Sequence, residues 1–219
     1  MGPAPRPIGV LGGTFDPIHY GHLRPALELL EALKLAEVRF IPCRIPAHRS
    51  TPLITAEQRL DLVRLAMAEQ SGFVADDREL RREGSSYMVD TLASLRTDCG
   101  DDTPLCLILG ADAFRELPIW RHWQDLGNFA HIIVMQRPGI LQLFPPALKE
   151  FMAPRRVYDA LALCRKSAGS VLFQPVTQLR ISATQIRTLL ASGQSPRYLL
   201  PEAVLASIRD RALYLGATR

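Results

Sequence analysis

Cysteine is scarce and scattered in this 219-residue chain: Cys43, Cys99, Cys106 and Cys164 are far apart and no two form a Cys-x-x-Cys pair. That spacing argues against a zinc site or a disulfide framework and points to reduced thiols. Lysine is scarcer still. Only Lys34, Lys149 and Lys166 occur, so 23 of the 26 basic residues are arginine. Arginine-favouring codon usage accounts for most of that excess, although the planar guanidinium fork also suits phosphate. The basic residues form no dense run, so a net charge of +4 does not imply nucleic-acid binding. No apolar stretch reaches the length of a membrane span, and Met1 to Pro7 holds no apolar signal segment. A cytoplasmic protein with no membrane or nucleic-acid partner is therefore expected.

Three signatures are also missing. There is no Gly-x-Gly-x-x-Gly after the first apolar run, which disfavours a dinucleotide dehydrogenase. There is no Walker sequence ending Gly-Lys-Ser/Thr, which disfavours a P-loop kinase, and no Gly-x-Ser-x-Gly elbow, which argues against an α/β-hydrolase. Internal repeats and low-complexity segments are absent too. What remains is 47% hydrophobic and 22% charged, the balance of a globular protein with one sizeable core. One domain over residues 1–219 is expected, with a helical C-terminal part from about 181.

The apolar runs alternate in kind. Ile8 to Leu11, Val38 to Ile41, Phe73 to Ala75, Leu105 to Leu109, His131 to Met135 and Ser170 to Gln174 read as strands. Leu105 to Leu109 is apolar at all five positions, as a central parallel strand buried on both faces requires. Between the strands lie helical patterns. Leu23, Ala26, Leu27, Leu30 and Leu33 mark one. A second starts at a Thr55/Gln58 capping box, carries Leu62, Leu65 and Ala66, and runs to about Gln70. A third, with Val89, Leu92 and Leu95, follows Ser85-Ser86-Tyr87. Ser182 and Gln185 form another capping box, and a last helix runs from Pro201 to about Leu215-Gly216. Asp76 to Gly84 reads as charged and solvated, and Ile140 to Ala168 as helix and loop. Strand–helix alternation of this kind predicts an α/β fold with a doubly wound parallel sheet.

The chemistry gathers in Gly12-Gly13-Thr14-Phe15-Asp16-Pro17-Ile18-His19-Tyr20-Gly21-His22. Glycines allow positive φ and close ligand approach. The turn leads to a helix start, where unpaired N–H groups and the helix dipole favour an anion. His19 and His22, three apart, share a helical face. Far along the chain, Thr184 and Arg187 sit near another helix start, a second anion-binding candidate. Gly110 permits a sharp turn after the central strand. Asp112 lies just outside that strand, as a ligand contact or as a plain N-cap. Of the two tryptophans, Trp120 and Trp123, one can pack in the core while the other offers a flat face to a ring. His48-Arg49 lies in a loop after the second strand, where α/β sheets bind ligands.

The eleven-residue string resembles the His-x-Gly-His nucleotidyltransferase signature, and in its full length that of the nicotinate-nucleotide adenylyltransferases. Ile181-Ser182-Ala183-Thr184-Gln185-Ile186-Arg187 is similar to the superfamily's second signature. Pro46 to Arg49, Ser86-Tyr87, and Gly110 to Phe114 with Trp120 extend the resemblance over nearly the whole chain. Met88, Cys43 and Ala183 depart from residues common in that family (threonine, asparagine and serine). The resemblance implies a Rossmann-like nucleotidyltransferase fold. It also implies transfer of AMP from ATP to nicotinate mononucleotide, giving deamido-NAD and pyrophosphate. On the matching positions it assigns catalysis to His19, His22 and Arg187. ATP would be held by Gly12, Gly13, Thr14, Phe15, Gly110, Asp112, Ile181, Ser182 and Thr184. The acceptor would lie across Asp16, Arg49, Ser86, Tyr87 and Trp120. Mg²⁺ would be bound mainly through ATP phosphates, with no dedicated protein ligand set. Other acceptors (nicotinamide mononucleotide, phosphopantetheine, FMN) and a non-catalytic nucleotide sensor are the rivals, and monomer or homo-oligomer is left open.

Overall fold

In the computed structural model, residues 5–47, 51–136 and 143–215 are described. Strand β1, Ile8–Gly13, is followed by α1, Tyr20–Ala32, and β2, Glu37–Pro42. Helix α2, Ala56–Met67, leads to the short β3, Phe73–Ala75. A four-residue helix α3, Arg78–Arg81, precedes α4, Met88–Cys99. Then come β4, Leu105–Gly110, the short helices α5, Ala111–Arg115, and α6, Leu126–Phe129, and β5, His131–Gln136. Helix α7, Pro146–Met152, the two-residue β6, Arg156–Val157, and β7, Val171–Pro175, complete the sheet. Helices α8, Ala183–Ala191, and α9, Glu202–Asp210, close the described chain.

Among the described residues the sheet has seven strands, all paired in parallel, in the order β3-β2-β1-β4-β5-β7-β6. The doubly wound α/β expectation is met. The most apolar strand, β4, is the middle one. Successive side chains of a strand point to opposite faces, and the core divides accordingly. Leu11, Cys106, Ile108 and Ile133 pack under α1, α2, α8 and α9. Val10, Leu105, Leu107, Leu109, Ile132 and Val134 pack under α4, α6 and α7. The order runs outward in both directions from the β1–β4 pair. That is the topological switch point, where the C-terminal ends of parallel strands open a crevice. Gly13 and Gly110 end those two strands.

Several sequence expectations need correction. The run Asp76 to Gly84 is solvated only in part: Arg81, Glu83 and Gly84 are exposed. Asp76 and Glu79 are buried, because Arg78 and Arg39 surround the Asp76 carboxylate and the Thr91 hydroxyl donates to Glu79. Burial raises the Glu79 carboxyl above its ordinary range. Helix α2 ends at Met67 rather than Gln70 and turns Leu65 outward at 39% exposure, while Arg59 is buried. Edge strand β6 lies where the sequence shows only helix and loop, because two residues carry no alternation to read. Helix α9 stops at Asp210, and the chain then turns through left-handed Ala212 and Tyr214. Of the Ser182/Gln185 box only the forward bond forms, Ser182 Oγ accepting from the Gln185 N–H. The Thr55/Gln58 box forms both ways. His48, Arg49, Arg137 to Gly139 and Gly216 lie outside the described residues.

Candidate active site

The glycine pair belongs to β1, not to a turn beyond it. Neither glycine has positive φ; the left-handed residue is Phe15, at φ 49°. The glycines leave room for side chains that lie against them. A Cβ on Gly12 would press on the flexible end of Met88, and one on Gly13 would lie 2.9 Å from the Phe15 ring. A bulky residue at positive φ persists only when its surroundings hold it there. Phe15 is held by Phe40 and, edge-on at 5.1 Å, by the His22 ring.

His19 is the N-cap of α1 and His22 stands one turn in. Their rings stack with centroids 3.8 Å apart, so the spacing of three does place them together. The His19 N–H donates to His22 Nδ1 at 3.4 Å. His19 is 5% exposed and its Nδ1 is buried without a partner among the described residues. Burial disfavours the charged imidazolium and lowers its pKa to about 4. A neutral imidazole beside a helix N-terminus suits an anionic ligand that brings its own charge.

The distant second motif arrives at the first. Arg187 Nη1 donates to the Asp16 carbonyl at 2.6 Å, across 171 positions of sequence. Its Nη2 donates to Thr184 Oγ1 at 3.3 Å. A Cβ on Gly21 would lie 3.2 Å from the Ile181 carbonyl oxygen, so the start of α1 and the approach to α8 touch backbone to backbone. Thr14 to His22, Ile181, Thr184 and Arg187 thus share one end of the sheet.

Asp16 is a hub. Its Oδ2 accepts from the Leu53 N–H at 3.0 Å, and its Oδ1 accepts from the Tyr214 hydroxyl at 2.8 Å. Tyr214 is buried beside it, and burial with the neighbouring carboxylate raises the phenol's pKa. Nothing in the sequence around Tyr214 signalled this contact. Replacing it, Tyr214→Phe, strands a buried carboxylate oxygen. Stability should fall by about 1–3 kcal/mol, read as a lower urea midpoint; an unchanged midpoint would show the bond to be dispensable.

The acceptor-side candidates gather at the start of α4. The Arg44 N–H donates to Ser86 Oγ at 3.0 Å and the Ser86 N–H to the Ile45 carbonyl at 2.9 Å. Ser86 therefore ties the loop after β2 to α4 rather than capping the helix. The Arg121 guanidinium lies 4.7 Å over the Tyr87 ring. Trp120 and Trp123 both pack, partly buried, against the core, Trp123 at 5.2 Å from Phe151, where one of the two was expected to do so. Asp112 is not an N-cap. It lies in the first turn of α5 with a side chain 91% exposed, paired to Arg115 at 3.2 Å. A Cβ on Gly110 would meet nothing within 4 Å, so the fold leaves open space there. Arg49 lies outside the described residues.

Among the described residues no group of three or more His, Cys, Asp or Glu side chains is placed to hold a metal ion, and no helix is long and apolar enough to cross a membrane.

Known proteins share this chain's sequence and shape. Residues 10–189 match the cytidylyltransferase-like family model. A protein of Aeromonas salmonicida named "Probable nicotinate-nucleotide adenylyltransferase" is 50% identical over 208 residues, covering 95% of this chain and 97% of its own. One of the same name from Halorhodospira halophila is 52% identical over 209 residues, covering 95% of each. The Plasmodium falciparum nicotinic acid mononucleotide adenylyltransferase, solved with NaAD, superposes with a TM-score of 0.72 over 95% of this chain and 97% of its own. At 16% identity it speaks to the fold alone.

Proposed function

The chain belongs to the nicotinate-nucleotide adenylyltransferase family, and on that premise we propose how its cleft works. The reaction transfers AMP from ATP to nicotinate mononucleotide, forming deamido-NAD and pyrophosphate, a step of NAD biosynthesis. The nucleophile is the mononucleotide's 5′-phosphate, already anionic near neutral pH, so no general base is needed. The protein must align two anions and stabilise charge on the transferring phosphoryl group and the leaving pyrophosphate.

His19 and His22 face the triphosphate across the N-terminus of α1. The backbone N–H groups of Thr14 and Phe15 hold phosphate oxygens. Ser182, Thr184 and Arg187 take the β- and γ-phosphates at the start of α8. The open space over Gly110, beside Asp112, receives the adenosine. Ser86, Tyr87 and Trp120, with Arg49, flank the acceptor. Asp16, its carboxylate held by Leu53 and Tyr214, positions the turn and keeps acceptor capacity on both oxygens for the acceptor nucleotide. When bound with the nucleotide, Mg²⁺ would neutralise phosphate charge. A cytoplasmic address belongs to the same reading, and the four thiols are unbridged.

The observation that carries this reading is the Arg187–Asp16 bond, which brings the two signatures to one crevice. Its test is pyrophosphate release from ATP with nicotinate mononucleotide, nicotinamide mononucleotide, phosphopantetheine or FMN as acceptor. Turnover should be highest with the nicotinate form. Faster release with another acceptor, or none with any, would replace this function by one of its rivals.

A further inference from the structure

Arg59 is 1% exposed and projects from α2 toward the loops that end β1 and β2. Its Nη1 donates to the Thr14 carbonyl at 2.6 Å. Its Nη2 donates to the Cys43 carbonyl at 2.6 Å and to the Arg44 carbonyl at 3.3 Å. Its Nε is buried without a partner among the described residues. Nη1 also lies 3.9 Å from Cys43 Sγ. A buried charge held mainly by carbonyl dipoles is costly. An apolar side chain would fill the same stripe as Ala56, Leu60 and Val63, so the guanidinium calls for a physical reason.

The reason lies in the two peptides it holds. A trans peptide sets its C=O and N–H in opposite directions. With the Thr14 carbonyl drawn inward to Arg59, the Phe15 N–H is turned away from Arg59. With the Cys43 carbonyl drawn inward, the Arg44 N–H is turned outward, and it donates to Ser86 Oγ. One peptide lies in the phosphate-binding turn and the other joins the acceptor-side loop to α4. A planar fork fixes the direction of both bonds at once; an ammonium on a flexible stem has the donors but not that fixed geometry.

We propose that Arg59 is a positioning residue for the transfer reaction: its two-pronged hold on the Thr14 and Cys43 carbonyls aims the Phe15 N–H at the ATP phosphates and fixes the acceptor loop on Ser86 in one rigid unit. This rests on the adenylyl-transfer reading above. Arg59→Lys keeps the charge and loses the fork. With nicotinate mononucleotide as acceptor, KM for both substrates should rise and kcat should fall, by up to roughly 10²-fold in kcat from misalignment alone. If Arg59 merely packs α2, the variant will melt earlier yet keep wild-type KM and kcat when folded, and the proposal is overturned. Amide hydrogen exchange on the wild type, with and without α,β-methylene ATP, covers a variant that does not fold. The Phe15 amide should gain protection with the analogue, and the Arg44 amide should be protected already without it. An unprotected Phe15 amide in the complex overturns the proposal. Wild-type protein that binds the analogue but transfers to no acceptor refutes the adenylyl-transfer reading instead.

Discussion

His22→Ala should lower turnover by about 10²–10³-fold, the usual loss for one well-aimed donor in a preorganised site, while the protein folds as before. His22 sits in the first turn of α1, against the edge of Phe15 and the face of His19. Its Nδ1 accepts from the His19 N–H, and an accepting Nδ1 leaves the ring proton on Nε2, so that nitrogen donates. The negative charge on the transferring phosphoryl group and leaving pyrophosphate is what such a donor stabilises. Alanine suits a helix better than histidine, so α1 should persist. Steady-state pyrophosphate release gives the rate and a circular-dichroism melt gives the fold. Near-normal turnover, or a variant that is unfolded, would remove His22 from the mechanism.

The second large effect is on stability. Unfolding returns His19 from a pKa of about 4 to about 6.5. Between those values the unfolded chain binds a proton that the folded one refuses, so stability falls as pH drops from about 6.5 toward 4 and is retained above that window. The loss from this one ring is ~3 kcal/mol, taking 1.36 kcal/mol per unit. Burial also lowers His131, and it raises Glu79, which acts in the opposite sense. The contrast with His19→Gln, which cannot titrate, isolates the ring. Urea unfolding of both proteins from pH 4 to 7.5 should show the wild type losing more stability than the variant on acidification. Parallel curves would mean that His19 is hydrated in solution. A bound polyphosphate should flatten the wild-type curve, because an anion beside the ring favours its protonation.

The same residues show how far local pattern carries. The five apolar positions of Leu105 to Leu109 announced a strand buried on both faces, and β4 is the middle of the sheet. Thr55 with Gln58 announced a helix start, and both bonds form. His19 and His22 announced a shared face, and their rings stack. Arg59 left a fainter mark: an arginine on the stripe of Ala56, Leu60, Val63 and Met67, where period alone calls for an apolar residue. Asp76 and Glu79 read as surface charge because composition carries no information about which cations will surround a carboxylate.

By itself the sequence determined the alternating elements, the parallel sheet they imply and the two signatures that carry the chemistry. These follow from spacings of two to four residues, which backbone geometry converts directly into a face or a turn. Only the tertiary structure decided that Arg187 meets Asp16, that Tyr214 closes on the same carboxylate from 198 positions away, and that Arg59 reaches behind Thr14. A buried polar side chain takes its partner from whichever loops the folded sheet brings beside it, and chain distance leaves no periodic trace of that choice.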